Sequence, residues 1–178
     1  MEDVNRRPGL GVDFGRVIHG AAAPDGPEDT VFLRGTDEEA LVSPATAGAF
    51  EVLPDLVSRF DGRVWVISKC GPRIQRRTLA WLDHHDFHGR TGIPLGNVRF
   101  CRRREEKAGH CARLGITHMV DDRIDVHRAL LDTVPYRYLF GRQKGPAPDW
   151  VHHTPTWADL RDAIVSDLEA QRGSRRRG

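Results

Sequence analysis

Apolar positions along the chain alternate between short unbroken runs and longer stretches spaced at the helical interval. Leu10 to Phe14 is such a run, polar only at Asp13, and predicts a buried strand. A loop-like region follows to about Pro44, with the breaker-rich stretch Ala21 to Pro27 inside it and Val31-Phe32-Leu33 as a small apolar island, one arm of a hairpin flap. Phe50, Leu53, Val57 and Phe60 have helical spacing and predict a helix within Ala45–Phe60, with Pro54 kinking it or marking its start. Arg63 to Ile67 reads as a second strand. Gly71 to about Phe87 reads as a helix with Ile74, Leu79, Trp81 and Leu82 inward.

Beyond these, Asn97–Cys101, Ile116–Val120 and Tyr136–Phe140 read as strands, and Glu105–Leu114, Arg123–Leu131 and Thr156–Leu168 as helices. Gly115 is suited to close one helix in a left-handed conformation, and Thr156 or Thr154 to cap the last. Strands alternating with helices predict an α/β chain with a mainly parallel sheet of about five strands. Residues 9–170 are expected to form one domain, between a disordered lead-in over 1–8 and a basic disordered tail over 171–178.

Composition narrows the partners. The chain has 178 residues and a net charge of +2, too small to argue for a nucleic-acid partner. Arginine is dense at Arg102-Arg103-Arg104 and between Arg172 and Arg177, which is read as a solvated face and a frayed terminus. No apolar run has the length of a membrane span, no charged-then-apolar leader opens the chain, and the expected location is the cytoplasm. Cys70, Cys101 and Cys111 are odd in number and not closely paired, which argues against a disulfide scaffold. His84, His85 and His88 sit where a helix ends, and with Cys101, His110, Cys111 and His118 they lack the tight spacing of a zinc site. Trp65 and Trp81 are assigned to the core, and Trp150 and Trp157 to pinning the C-terminal helix.

The chemistry sits where the strands end. The first run ends at Asp13, the second at Ser68, the fourth at Asp121-Asp122, and Lys107 opens the helix before that fourth strand. In an open parallel sheet, ligands bind outside the carboxyl ends of the strands, so these groups are expected to converge on one rim. The Asp13 strand should lie centrally, between those ending at Ser68 and Val120. Taken singly, each residue has a plainer reading: turn chemistry for Asp13, a cap for Ser68, a surface charge for Lys107, a helix start for the acidic pair.

In this order, the four segments resemble the haloacid dehalogenase-like hydrolase superfamily, over roughly Leu10 to Phe140. Lys107 to Val126 also looks like one uncharacterised bacterial branch of it. The resemblance implies a three-layer Rossmann-like fold and a Mg²⁺-dependent phosphatase working through an aspartyl-phosphate. It implies Asp13 as nucleophile, Ser68 and Lys107 as catalytic and phosphate-binding groups, and Asp13, the Gly15 carbonyl, Asp121 and Asp122 as metal ligands. Arg16 and His19 stand nearby as candidates for phosphate contact or proton transfer. The segments after Asp13 and after Ser68 are too short for a large lid domain, which implies a capless, open site. Such a site takes a bulky phosphorylated substrate or borrows a second subunit as cover, making the chain a homo-oligomer.

One position departs from that pattern. The family's usual acid–base aspartate, two residues after the nucleophile, is Gly15 here. Glycine offers a carbonyl but no proton, and loss of a general acid–base typically costs about 10²–10⁴-fold. The alternative function is therefore a phosphate-binding or protein-interaction module that kept the fold and lost turnover.

Overall fold

In the computed structural model, which describes residues 7–20 and 30–175, six strands make one sheet: β1 (Leu10–Val12), β2 (Val64–Lys69), β3 (Val98–Cys101), β4 (His118–Asp121), β5 (Tyr136–Phe140) and β6 (His152–Thr154). Their order is β3-β2-β1-β4-β5-β6, and every neighbouring pair is parallel. β1 is central, as expected, and the chain departs from it in opposite directions, through β2 on one side and β4 on the other. That divergence opens a crevice at the carboxyl ends of β1 and β4.

Strand parity sorts the core into two layers. Leu10, Val12, Val64, Val66, His118 and Val120 face one side, where α3 (Ala49–Arg59), α4 (Pro72–His84) and α8 (Trp157–Arg175) pack with Leu53, Trp81 and Ile164. Trp65, Ile67 and Met119 face the other side, against Cys111 of α6 (Arg104–Leu114) and Val126 of α7 (Ile124–Ala129). Gly11 of β1 points to this second layer, and a Cβ there would come within 2.6 Å of the Met119 sulfur. Its lack of a side chain brings α6 and α7 close to the central strand. The three-layer α/β arrangement is thus as predicted.

Several elements differ from the sequence expectation. The sheet gains β6, an edge strand too short and polar to stand out. Val31-Phe32-Leu33 belongs to a helix, α1 (Thr30–Arg34), not to a hairpin arm, and a second short helix, α2 (Asp37–Leu41), follows it. The Gly71–Phe87 stretch divides into α4 and the separate α5 (Phe87–Thr91), with Asp86 between them at φ 49°. Leu79, read as inward, is 48% exposed. Pro54 lies inside α3, which begins earlier, at Ala49. Thr156, not Thr154, caps α8 through a reciprocal pair with Asp159, and α8 continues past Leu168 to Arg175, so the basic tail starts as helix. Trp157 does pin α8, its indole nitrogen donating to the Val17 carbonyl at 2.9 Å, whereas Trp150 precedes β6. Gly115 caps α6 at φ 68° as expected. The other ends of the chain and the breaker-rich stretch, residues 1–6, 176–178 and 21–29, lie outside the described residues. No helix among the described residues is long and apolar enough to cross a membrane.

The two short helices α1 and α2 form a flap held by Arg77 of α4. Arg77 is buried and donates to the Phe32 carbonyl, the Gly35 carbonyl and Asp37 Oδ1, each at 2.7 Å. Asp37 is 82% exposed, so the ion pair adds little and the two main-chain bonds do most of the anchoring. Leaving buried acceptors unpaired costs about 1–3 kcal/mol each. Arg77→Ala is accordingly expected to speed amide exchange over residues 30–41 while protection in β1 and β2 stays intact; equal loss throughout would show that Arg77 supports the whole fold instead.

Candidate active site

The register of β1 and β4 builds the centre of the site. Val12 pairs with Val120, so Asp13 and Asp121 are the next residues on adjacent strands and turn to the same face, that of α6. The Asp13 amide donates to the Val120 carbonyl at 2.9 Å, which fixes the two strand ends together. From α6, Lys107 Nζ reaches Asp13 Oδ1 at 2.9 Å and Asp121 Oδ2 at 2.6 Å. Lys107 is only 1% exposed. Burial opposes its charge, but Asp121 and Asp13 outweigh that and hold the ammonium protonated.

Asp122 completes a cluster in which oxygens of Asp13, Asp121 and Asp122 all lie within 4.8 Å of one another. Asp121 is fully engaged, since its other oxygen accepts the Arg123 amide at 3.0 Å. Among the described residues, Asp122 is held through Oδ2, by Arg16 Nε at 3.0 Å. Burial, followed by Asp121, pushes the Asp122 carboxyl up to about 6, with Arg16 opposing. Asp13 is likewise raised, chiefly by burial; Lys107 counters this, while Asp121 and Asp122 add to it. Three hard oxygen donors with less positive charge than they need are a fitting seat for a small divalent cation.

Ser68, next to last in β2, lines the same cleft beside Cys70. Burial pushes the Cys70 thiol up to about 11, so it is neutral at physiological pH. Gly15 and Arg16 line the cleft in the turn after β1. Arg16 takes φ 59°, a left-handed conformation uncommon for a side-chain-bearing residue, while a Cβ on Gly15 would meet nothing within 4 Å. Neither space nor backbone therefore requires glycine at position 15. His19 does not enter the site: its Nε2 meets Ser43 Oγ at 2.6 Å, and it packs beneath the turn among Phe14, Phe32 and Trp81.

Reading the strand ends misses several contributors. His127 of α7 is buried, and its Nε2 contacts the Asp121 carbonyl at 3.0 Å, bracing the end of β4 from behind. Its place one turn beyond the acidic pair was the available signal. Gln143 braces the same end, donating to the Asp122 carbonyl at 3.2 Å. Leu33, Arg34 and Lys69 also line the cleft, whose volume is about 510 Å³. The other histidines behave as expected of structural groups: His85 Nε2 meets the Leu41 carbonyl and His88 Nδ1 the Ile93 carbonyl. Cys70, Cys101 and Cys111 are free thiols.

No family model matches the sequence, and no curated protein does. Among solved structures, a haloacid dehalogenase-like family hydrolase from Xanthomonas campestris is similar, with a TM-score of 0.61 at 12% identity, covering 96% of this chain and 100% of that one. The chain has the haloacid dehalogenase-like fold. At this identity the likeness speaks for the fold alone.

The carboxyl shift at Asp122 has a consequence for stability. A carboxyl raised in the folded state above its unfolded value of 3.8 binds more protons folded than unfolded until about pH 6. Its contribution therefore weakens as pH rises through that interval. Metal-free protein is expected to lose melting temperature between about pH 4 and 6 relative to Asp122→Asn, which removes the titrating group. Parallel profiles for the two proteins would show that Asp122 ionises without penalty.

Proposed function

We propose that the protein is a metal-dependent phosphohydrolase that attacks phosphate monoesters with Asp13. The observation that carries this reading is the buried contact of Lys107 with both Asp13 and Asp121, beside Asp122, at the sheet's divergence. A divalent cation such as Mg²⁺ would be held by Asp13, Asp122 and the Gly15 carbonyl, and would cancel charge between the nucleophile and the phosphoryl oxygens. Asp122 is the better candidate for direct ligation, because both oxygens of Asp121 are already bonded.

The chain's own groups then divide the hydrolysis. An Asp13 oxygen forms a bond to phosphorus as the ester P–O bond breaks and the leaving oxygen departs with the bonding pair. Lys107 neutralises charge gathering between Asp13 and the phosphoryl group, and Ser68 donates a hydrogen bond to a phosphoryl oxygen. Water next attacks phosphorus and gives up a proton to solvent, the Asp13–phosphorus bond breaks with its electron pair returning to the carboxylate, and phosphate leaves. With Gly15 in place of an acid, the departing oxygen takes its proton from solvent. Esters with acidic leaving groups, which need no proton to depart, are therefore the favoured substrates.

Gly15 also favours a second reading, a phosphate-binding module without turnover. Hydrolysis of an aryl and an alkyl phosphate with Mg²⁺, beside Asp13→Asn, separates the two. The expected outcome is aryl turnover that Asp13→Asn abolishes, with the alkyl ester far slower. Gly15→Asp, which the open space at this position admits, is expected to narrow that gap. No aryl turnover above the Asp13→Asn blank would favour the binding module. Mg²⁺ is separately expected to raise the melting temperature of the wild type but not of Asp122→Ala. An unchanged shift in that variant would move the ligand role to Asp121.

A further inference from the structure

The cleft holds cationic side chains that the phosphoryl chemistry proposed for Lys107 and Ser68 does not use. Besides Lys107, it is lined by Arg16, Arg34, Lys69 and Arg123, and its acidic side chains among the described residues are the three carboxylates of the site. Arg16 is paired with Asp122, and Arg123 with Asp125. Arg34, closing α1, and Lys69, closing β2, are both exposed, and their side chains have no ion-pair or hydrogen-bond partner among the described residues. They come from different elements, one from the flap and one from the sheet. Leu33 at 46% exposure and the half-buried Ile74 add apolar surface to the lining of the same cleft. Arg73 of α4 donates to the Leu33 carbonyl and so holds this part of the flap against the helix.

We propose, building on the phosphohydrolase reading, that the substrate's leaving group carries a second anionic group, a carboxylate or another phosphate, which Arg34 and Lys69 bind while a short apolar body lies against Leu33 and Ile74. The scissile phosphoryl group is provided for by Lys107 and Ser68, so the two outer cations have no role in handling it. Their charges stand in solvent, where an added anion gains attraction without the cost of uncovering a buried ion. The cleft's volume of about 510 Å³ suits a small molecule, not an extended polymer. Paired contacts from two separate elements also fix the direction in which the leaving group points, which a single cation cannot do.

The test compares non-hydrolysable ligands that differ only in the second charge. Alkyl phosphonates and ω-carboxyalkyl phosphonates of matched chain lengths are titrated in Mg²⁺ buffer into wild type and into the Arg34→Gln, Lys69→Gln double variant. At the best chain length, the carboxylated ligand is expected to bind wild type about tenfold more tightly, by a margin that shrinks with salt. The double variant should bring it down to the affinity of the alkyl ligand. Equal affinity of the two series for wild type at every length would overturn the inference, as would a margin that survives in the double variant. Phenyl phosphate hydrolysis judges the underlying reading separately. Turnover without a charge preference removes this inference and keeps the phosphatase; a preference without turnover keeps the dianionic ligand and removes the phosphatase.

Discussion

Lys107 places one ammonium group between the carboxylates of Asp13 and Asp121 where almost no water reaches, and the geometry around it follows from that contact. A buried cation without partners would be strongly destabilising, and so would two neighbouring carboxylates without a cation. Each therefore makes the other tolerable. The arrangement joins residues 94 apart in sequence at Asp13 and 14 apart at Asp121. It needs β1 and β4 side by side, in register, with α6 lying over the face to which their next residues turn. The site is thus a product of completed topology, and no local segment could assemble it alone.

The charge is deliberately left out of balance at Asp122. Arg16 reaches it from a turn in which the arginine itself adopts a left-handed backbone, a conformation that needs support from its surroundings. That support comes from the Arg16 amide bonded to the His19 carbonyl and from Trp157 holding the Val17 carbonyl. The final helix, far away in sequence, therefore helps to shape the rim of the cleft.

How much of this was legible in the sequence depended on whether the signal was local. Strands ending at Asp13, Ser68 and Asp121 were readable because each is an apolar run closed by one polar residue. The central place of β1 followed from the ligand-binding rule for parallel sheets. β6 was not readable: His152-His153-Thr154 is polar and short, and its pairing is through backbone groups at an edge. The helices α1 and α2 were hidden because five-residue helices owe their stability to tertiary contacts such as those of Arg77, although Thr36 and Glu39 form a capping box that the sequence does display. Leu79 was counted with the inward positions, yet it lies on the outer face of α4, while Thr78, Trp81 and Leu82 of the same turn are buried. Lys69 and Arg34 could not be placed at the cleft from sequence, since nothing in it says how the flap sits over the sheet.

The way Arg77 holds that flap has an implication for how such a cleft can diversify. Its guanidinium grips the carbonyls of Phe32 and Gly35, groups that every amino acid supplies. The exposed side chains between them, Leu33 and Arg34, can accordingly be exchanged without loosening the anchor. Attachment and the outward-facing surface are thus carried by different atoms of the same short segment, and that surface can drift while the anchor of the flap stays in place.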